Sequence, residues 1–88
     1  MIYYMGLFSF LGFGGNKIKD ALKRGAIVID VRTPQEYDGG KVPGSINIPV
    51  DKISASAERI KSMKRPVIFC CASGMRSGNA TTIMKGKL

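Results

Sequence analysis

Along this chain, short continuous apolar runs alternate with stretches whose apolar residues recur at helical spacing. Met1 to Phe13 is apolar and uncharged, and reads as a first strand followed by an apolar flap packed on the core. After the break Gly12-Phe13-Gly14-Gly15, Asn16 is positioned to cap a helix running to about Arg24. Ile18, Ala21 and Leu22 share one face of it, and Gly25 stops it. Ala26-Ile27-Val28-Ile29-Asp30-Val31 is a β-branched run of the kind found in a strand covered on both faces. Thr33 and Pro34 open a short helix through Glu36 and Tyr37, closed by Gly39-Gly40. Val42-Pro43-Gly44 forms a turn, and Ser45-Ile46-Asn47-Ile48 a brief strand ended by Pro49. From Asp51 to about Met63, the residues Ile53, Ala57, Ile60 and Met63 mark one helix face. Pro66 precedes a last apolar strand, Val67-Ile68-Phe69-Cys70, and Ala80, Ile83 and Met84 return to helical spacing.

Helices, not hairpin turns, separate these strands. The pattern predicts an α/β fold, a three-layer parallel sheet with helices on both faces. Eighty-eight residues allow one domain, expected as an N-terminal strand and flap over residues 1–15 and a single domain over 16–88. In such a sheet, ligands gather beyond the carboxyl ends of the strands. Two predicted strands end in chemically loaded residues: Asp30, and the doublet Cys70-Cys71.

Charge and cysteine usage narrow the classes of partner. Fourteen Lys and Arg against six Asp and Glu give a net charge of +8. The basic residues are spread from Lys17 to Lys87, and no aromatic follows Phe69, so the basic C-terminal third has no stacking platform for nucleic acid. A positive field that draws small anions into a cleft fits the composition. The apolar N-terminus falls short of the ~20 residues that span a bilayer, and no positive segment precedes it as in a secretory leader. Neither nucleic acid nor membrane is therefore expected as a partner. Neighbouring cysteines lie ~3.8 Å apart at Cα, closer than the ~4.4–6.8 Å of a disulfide. With no His and no third Cys, no metal site is expected, and no cofactor is implied. Two free thiols suit a reducing, cytoplasmic setting.

A cysteine at the end of a buried strand, followed by a tight loop and a helix N-terminus, is placed to become a reactive thiolate. Backbone N–H groups of residues 72–77 (Ala72, Ser73, Gly74, Met75, Arg76, Ser77) can wrap around the sulfur as an anion-binding nest. Gly74 admits positive φ in that wrap. Arg76 adds a cation with a fork for anionic oxygens, and Ser77 can cap the next helix or bond the sulfur. Cys70 is expected to pack inside as a small hydrophobe, and Cys71 to begin the loop as a semi-exposed thiol.

Three separated blocks resemble the rhodanese family of sulfurtransferases. Ile29-Asp30-Val31-Arg32 with Glu36-Tyr37 is similar to its Asp-Val-Arg and Glu-Tyr elements. Gly40-Lys41-Val42-Pro43-Gly44-Ser45-Ile46-Asn47-Ile48-Pro49 is similar to its Gly-His-Ile-Pro-Gly-Ala…Asn-Ile-Pro block, and Cys71 to Ser77 matches its Cys-x-x-Gly-x-Arg-Ser loop. The resemblance implies sulfur transfer: Cys71 takes a sulfane sulfur from a small anionic donor such as thiosulfate, becomes a persulfide, and passes the sulfur to cyanide or to a thiol, including that of a partner protein. It also implies that Asp30 and Arg32 help hold the active-site loop; as residues alone, they read equally as a salt-bridged strand end.

The chain departs from the family's pattern in three places. Lys41 stands where the family usually has His. Ala72 and Met75 leave Arg76 as the loop's one cation, so thiosulfate is expected to be a poor donor. Leu88 comes where the family usually continues, so the sheet is expected to lack the last strand and helix. The doublet leaves a second chemistry open. Counted from Cys70, the loop is Cys-x5-Arg76, the length used by phosphatases and arsenate reductases. A rhodanese-like binding module without turnover is a further alternative.

Overall fold

Strand alternation decides where each side chain of this protein goes. The computed structural model describes residues 2–6, 15–72 and 74–87. Four parallel strands, β1 (Ile2–Gly6), β2 (Ile27–Asp30), β3 (Ile46–Asn47) and β4 (Val67–Cys71), lie in the order β1-β4-β2-β3. Helices α1 (Gly15–Lys23), α2 (Pro34–Asp38), α3 (Ala57–Ser62) and α4 (Met75–Lys87) connect or follow them. This is the α/β parallel sheet that the pattern predicts. The N-terminal strand is part of the sheet, paired to β4 along its whole length. The flap residues Phe8, Phe10, Leu11 and Phe13 lie outside the described residues.

Every residue of β2 and β4 is buried, as expected of central strands covered on both faces. Successive side chains alternate between those faces. Ile27, Ile29, Val67, Phe69 and Cys71 join Ile53, Ala57, Ile60, Ala80 and Met84 in the larger core cluster. Val28, Ile68 and Cys70 join Ala21 in the smaller one, with Ile18 and Tyr3 against it.

Three expected details come out differently. Helix α1 begins at Gly15, so Asn16 lies within its first turn and is not its cap. Leu22 is 39% exposed, because one position past the fully buried Ala21 it is turned about 100° from the sheet. The helix expected from Asp51 to Met63 is interrupted. A 3-10 turn spans Val50–Lys52 after Pro49, and α-helix starts only at Ala57. Ser54 and Ser56, residues that favour turns over helix interiors, occupy the break. Ile53, Ala57 and Ile60 nevertheless reach the same core.

Beyond β2 the chain is held by polar groups. Arg32 donates from Nε (2.9 and 3.0 Å) and from a terminal nitrogen (2.7 Å) to the Asp30 carboxylate, and to the Gly40 carbonyl at 2.6 Å. The Arg32 backbone N–H adds a further bond to Asp30 Oδ1 at 3.0 Å. Asn47 Nδ2 donates to the carbonyls of Asp30 and Arg32, clamping the strand end to β3. The Asp30 carboxylate raises the Arg32 pKa, chiefly through these hydrogen bonds. Both residues are buried, and removing one partner of a buried ion pair costs about 3–5 kcal/mol by stranding the other charge. Arg32→Ala is expected to lose stability on that scale in urea unfolding, and a loss below about 1 kcal/mol would mark the pair as solvent-screened.

Candidate active site

The described backbone of residues 71–77 turns from β4 into α4 around one sulfur atom. Cys71 Sγ accepts the Gly74 N–H at 3.0 Å and the Ser77 N–H at 3.4 Å, and lies 3.5 Å from Ser77 Oγ, to which the thiol donates. Gly74 has φ +93, a left-handed conformation that glycine adopts without penalty, and this turns its N–H back toward the strand end. Ser77 Oγ donates to the Gly74 carbonyl at 3.0 Å, locking the turn. The two backbone donors converge on the sulfur as in an anion-binding nest, while the Ser77 hydroxyl, whose own proton goes to the Gly74 carbonyl, accepts from the thiol.

Cys71 differs from expectation in its setting. It is the last residue of β4 and not the first of the loop, and it is fully buried. Ser77 is the third residue of α4, so its hydroxyl serves the sulfur and the turn and does not cap the helix. Met75 and Arg76 also fall in the first turn of α4, with Met75 77% exposed and Ala72 on the surface. Ser73 lies outside the described residues. Cys70 points to the opposite face, among Ala21, Val28 and Ile68. Burial first, then the nearby Asp30 carboxylate, push its thiol up to about 12.

Arg76 is committed to a partner that its own loop does not contain. Its two terminal nitrogens meet the two oxygens of Glu36 at 2.6 and 3.0 Å, a bidentate pair that ties α4 to α2. The same carboxylate closes a capping box on α2: it accepts the Thr33 N–H at 3.0 Å and the Thr33 hydroxyl at 3.1 Å, while Thr33 Oγ1 accepts the Glu36 N–H at 3.3 Å. Hydrogen bonds from Arg76 and then from Thr33 hold the Glu36 carboxyl down at about 2. Arg76 is in turn raised, first by those bonds, with charge on Glu36, Cys71 and Asp30 adding to the effect.

A parallel α/β sheet whose β4 ends in this cradle matches a known family along most of its length. The family model for the Rhodanese-like domain covers residues 15–87. The chain belongs to the rhodanese-like family. Among similar proteins, an uncharacterized protein of Bacillus subtilis, YqhL, is 37% identical over 62 residues, which make up 70% of this chain and 48% of that protein. Human thiosulfate:glutathione sulfurtransferase is 30% identical over 73 residues, covering 68% of this chain and 64% of its own length. Thiosulfate sulfurtransferase GlpE of Pseudomonas syringae is 28% identical over 65 residues, covering 74% of this chain and 60% of its own. The chain thus spans less than two thirds of the length of these relatives. The crystal structure of a single-domain sulfurtransferase of Saccharomyces cerevisiae shares the fold, with a TM-score of 0.57 at 22% identity over 98% of this chain and 76% of that one.

Within this rhodanese fold, the bonds of Asp30 and Arg32 organise residues 30–47 beside the loop. Lys41, standing where the family usually has His, lies with its Nζ 4.7 Å from the centre of the Tyr37 ring. Two residues with a part in the site were not singled out from sequence, Glu36 as the partner of Arg76 and Asn47 as a clamp. The Thr-x-x-Glu spacing of Thr33 and Glu36 signals a cap, but nothing local signals that the carboxylate also reaches a residue 40 positions away.

Cys70 should titrate well above an ordinary thiol. With its pKa raised from 9.0 toward about 12, Cys70 stays protonated in the folded chain where the unfolded chain ionises. Its contribution is therefore intact below pH 9 and lost as the pH rises through that window. Urea midpoints measured upward from pH 8 are expected to fall less steeply in Cys70→Ala than in the parent; equal slopes would show that Cys70 is not the responsible group.

Proposed function

We infer that this protein is a sulfurtransferase that carries a sulfane sulfur as a persulfide on Cys71. The observation that carries this reading is the pair of backbone N–H groups, from Gly74 and Ser77, aimed at Cys71 Sγ. A thiolate so held attacks the outer sulfur of a donor such as thiosulfate. The new S–S bond forms as the bond to sulfite breaks, giving Cys71–S–S⁻ and free sulfite. A thiol or cyanide then takes the outer sulfur and restores the thiolate. One transfer becomes two easier ones because the same sulfur is both nucleophile and leaving group. The loop N–H groups stabilise charge on the sulfur in both steps. Free thiols and this chemistry suit a reducing cytoplasm, with a small thiol or a partner protein's thiol as acceptor.

Phosphatase or arsenate reductase chemistry on Cys70 has little to support it. That sulfur sits on the α1 side of the sheet, away from the Gly74 and Ser77 N–H groups, and its thiol resists ionisation. The binding-module alternative makes no use of the N–H cradle.

Exposure of the protein to thiosulfate or glutathione persulfide, followed by intact-mass and peptide analysis, is expected to add one sulfur on Cys71, removable by cyanide. Cys70→Ala should keep most of that loading and cost about 1 kcal/mol or less. Cys71→Ser should abolish loading and, because Cys71 is fully buried, also cost about 1 kcal/mol. Unchanged spectra with several donors and reduced thiols would favour a binding module. Loading lost in Cys70→Ala but kept in Cys71→Ser would transfer the nucleophile to Cys70.

A further inference from the structure

The reactive loop owns a single Lys or Arg among residues 71–77, Arg76. Both terminal nitrogens of its guanidinium are spent on Glu36, at 2.6 and 3.0 Å. Glu36 is itself immobilised by the Thr33 N–H and hydroxyl, so the pair does not rest on a freely moving side chain. The next charged residues inward, Asp30 and Arg32, form a second closed pair at 2.7 Å. Among the described residues, the charges named here, Glu36 with Arg76 and Asp30 with Arg32, are paired one to one. With its end-on fork filled by a carboxylate, the guanidinium has only its remaining side N–H groups to offer a sulfonate, and a dianion gains little beside a neutralised cation.

We propose that Glu36 sets donor preference: by closing the fork of Arg76, it leaves Cys71 in a locally neutral site that favours low-molecular-weight persulfides, R–S–SH or R–S–S⁻, over dianionic thiosulfate. This rests on the sulfurtransferase reading and names the substrate class for the same site. The step is balanced: Cys71–S⁻ attacks the terminal sulfur of R–S–S⁻, the new S–S bond forms, the old one breaks, and R–S⁻ leaves. No oxidant or reductant is consumed. Glu36 acts here as a positioning residue, through Arg76 and without touching the donor. The protein's overall charge of +8 attracts anions to its surface in general, but it does not supply the open cation that a dianion needs at the sulfur.

Glu36→Gln tests this, because Gln at the third helix position still closes a capping box while removing the charge that holds Arg76. Binding is read apart from chemistry in a Cys71→Ser background, by titrating thiosulfate and following the Gly74 and Ser77 amide signals. Glu36→Gln is expected to tighten thiosulfate about fivefold to tenfold, the scale of one charge-assisted contact discounted for exposure. With Cys71 intact, kcat/KM for thiosulfate relative to glutathione persulfide should rise by the same factor, through KM. Glu36→Ala must move both readouts in the same direction, which separates release of Arg76 from any particular property of Gln. Unchanged or weaker thiosulfate binding in these folded variants overturns the proposal, as does an equal change for both donors. If neither donor loads the parent protein, the sulfurtransferase reading fails while the binding titration still decides the role of Glu36.

Discussion

Two adjacent cysteines at the end of a strand buried on both faces must point to opposite sides of the sheet. The rest of the chemistry depends on that constraint. It sends Cys70 among Ala21, Val28 and Ile68, where burial suppresses ionisation, and Cys71 to the side where the chain turns back through Gly74 into α4. A doublet that is ambiguous as a string is unambiguous as a strand. Any catalytic use of the Cys70-x5-Arg76 spacing would have to reverse the pleat of β4, and with it the burial of Phe69 and Ile68 on their respective faces.

Around the sulfur, polar groups are held by chains of bonds in which a local link is joined to one that spans two elements. Thr33 fixes Glu36, Glu36 fixes Arg76, and Arg76 belongs to the turn that wraps Cys71. In parallel, Asp30 fixes Arg32, and Arg32 and Asn47 fix the segment leaving β2. Both networks lie at the carboxyl ends of the strands, where a parallel α/β sheet exposes its binding edge. By contrast, the recess of about 380 Å³ lined by Ile60, Val67, Phe69 and Met84 lies toward the amino end of β4 and contains no cysteine or acid among its lining residues. The same small set of polar residues holds the strand ends and the turn around Cys71 in this chain of 88 residues.

Most of this architecture was legible in the sequence because it follows from local patterns. Continuous β-branched runs marked β2 and β4, helical spacing marked α1 and α4, and Gly74 announced a positive φ that the turn uses. The reading failed where local pattern competed with something else. The face of Ile53, Ala57 and Ile60 was visible, but the serines between them break the helix without breaking the face. Cys71 looked semi-exposed because its successors are polar, yet pairing with β1 extends β4 through it and buries it. The Glu36–Arg76 pair was invisible, since only the tertiary fold brings α2 against the start of α4.

On the proposed mechanism, Cys71 Sγ, cradled by the N–H groups of Gly74 and Ser77, carries the sulfur. A crystal structure of the protein after reaction with a sulfane donor tests it most directly. Density is expected for one additional sulfur bonded to Cys71 Sγ, within hydrogen-bonding reach of those N–H groups, with an unmodified Cys70 on the far face of the sheet. Additional sulfur on Cys70, or a loaded Cys71 whose outer sulfur turns away from the loop N–H groups, would contradict it.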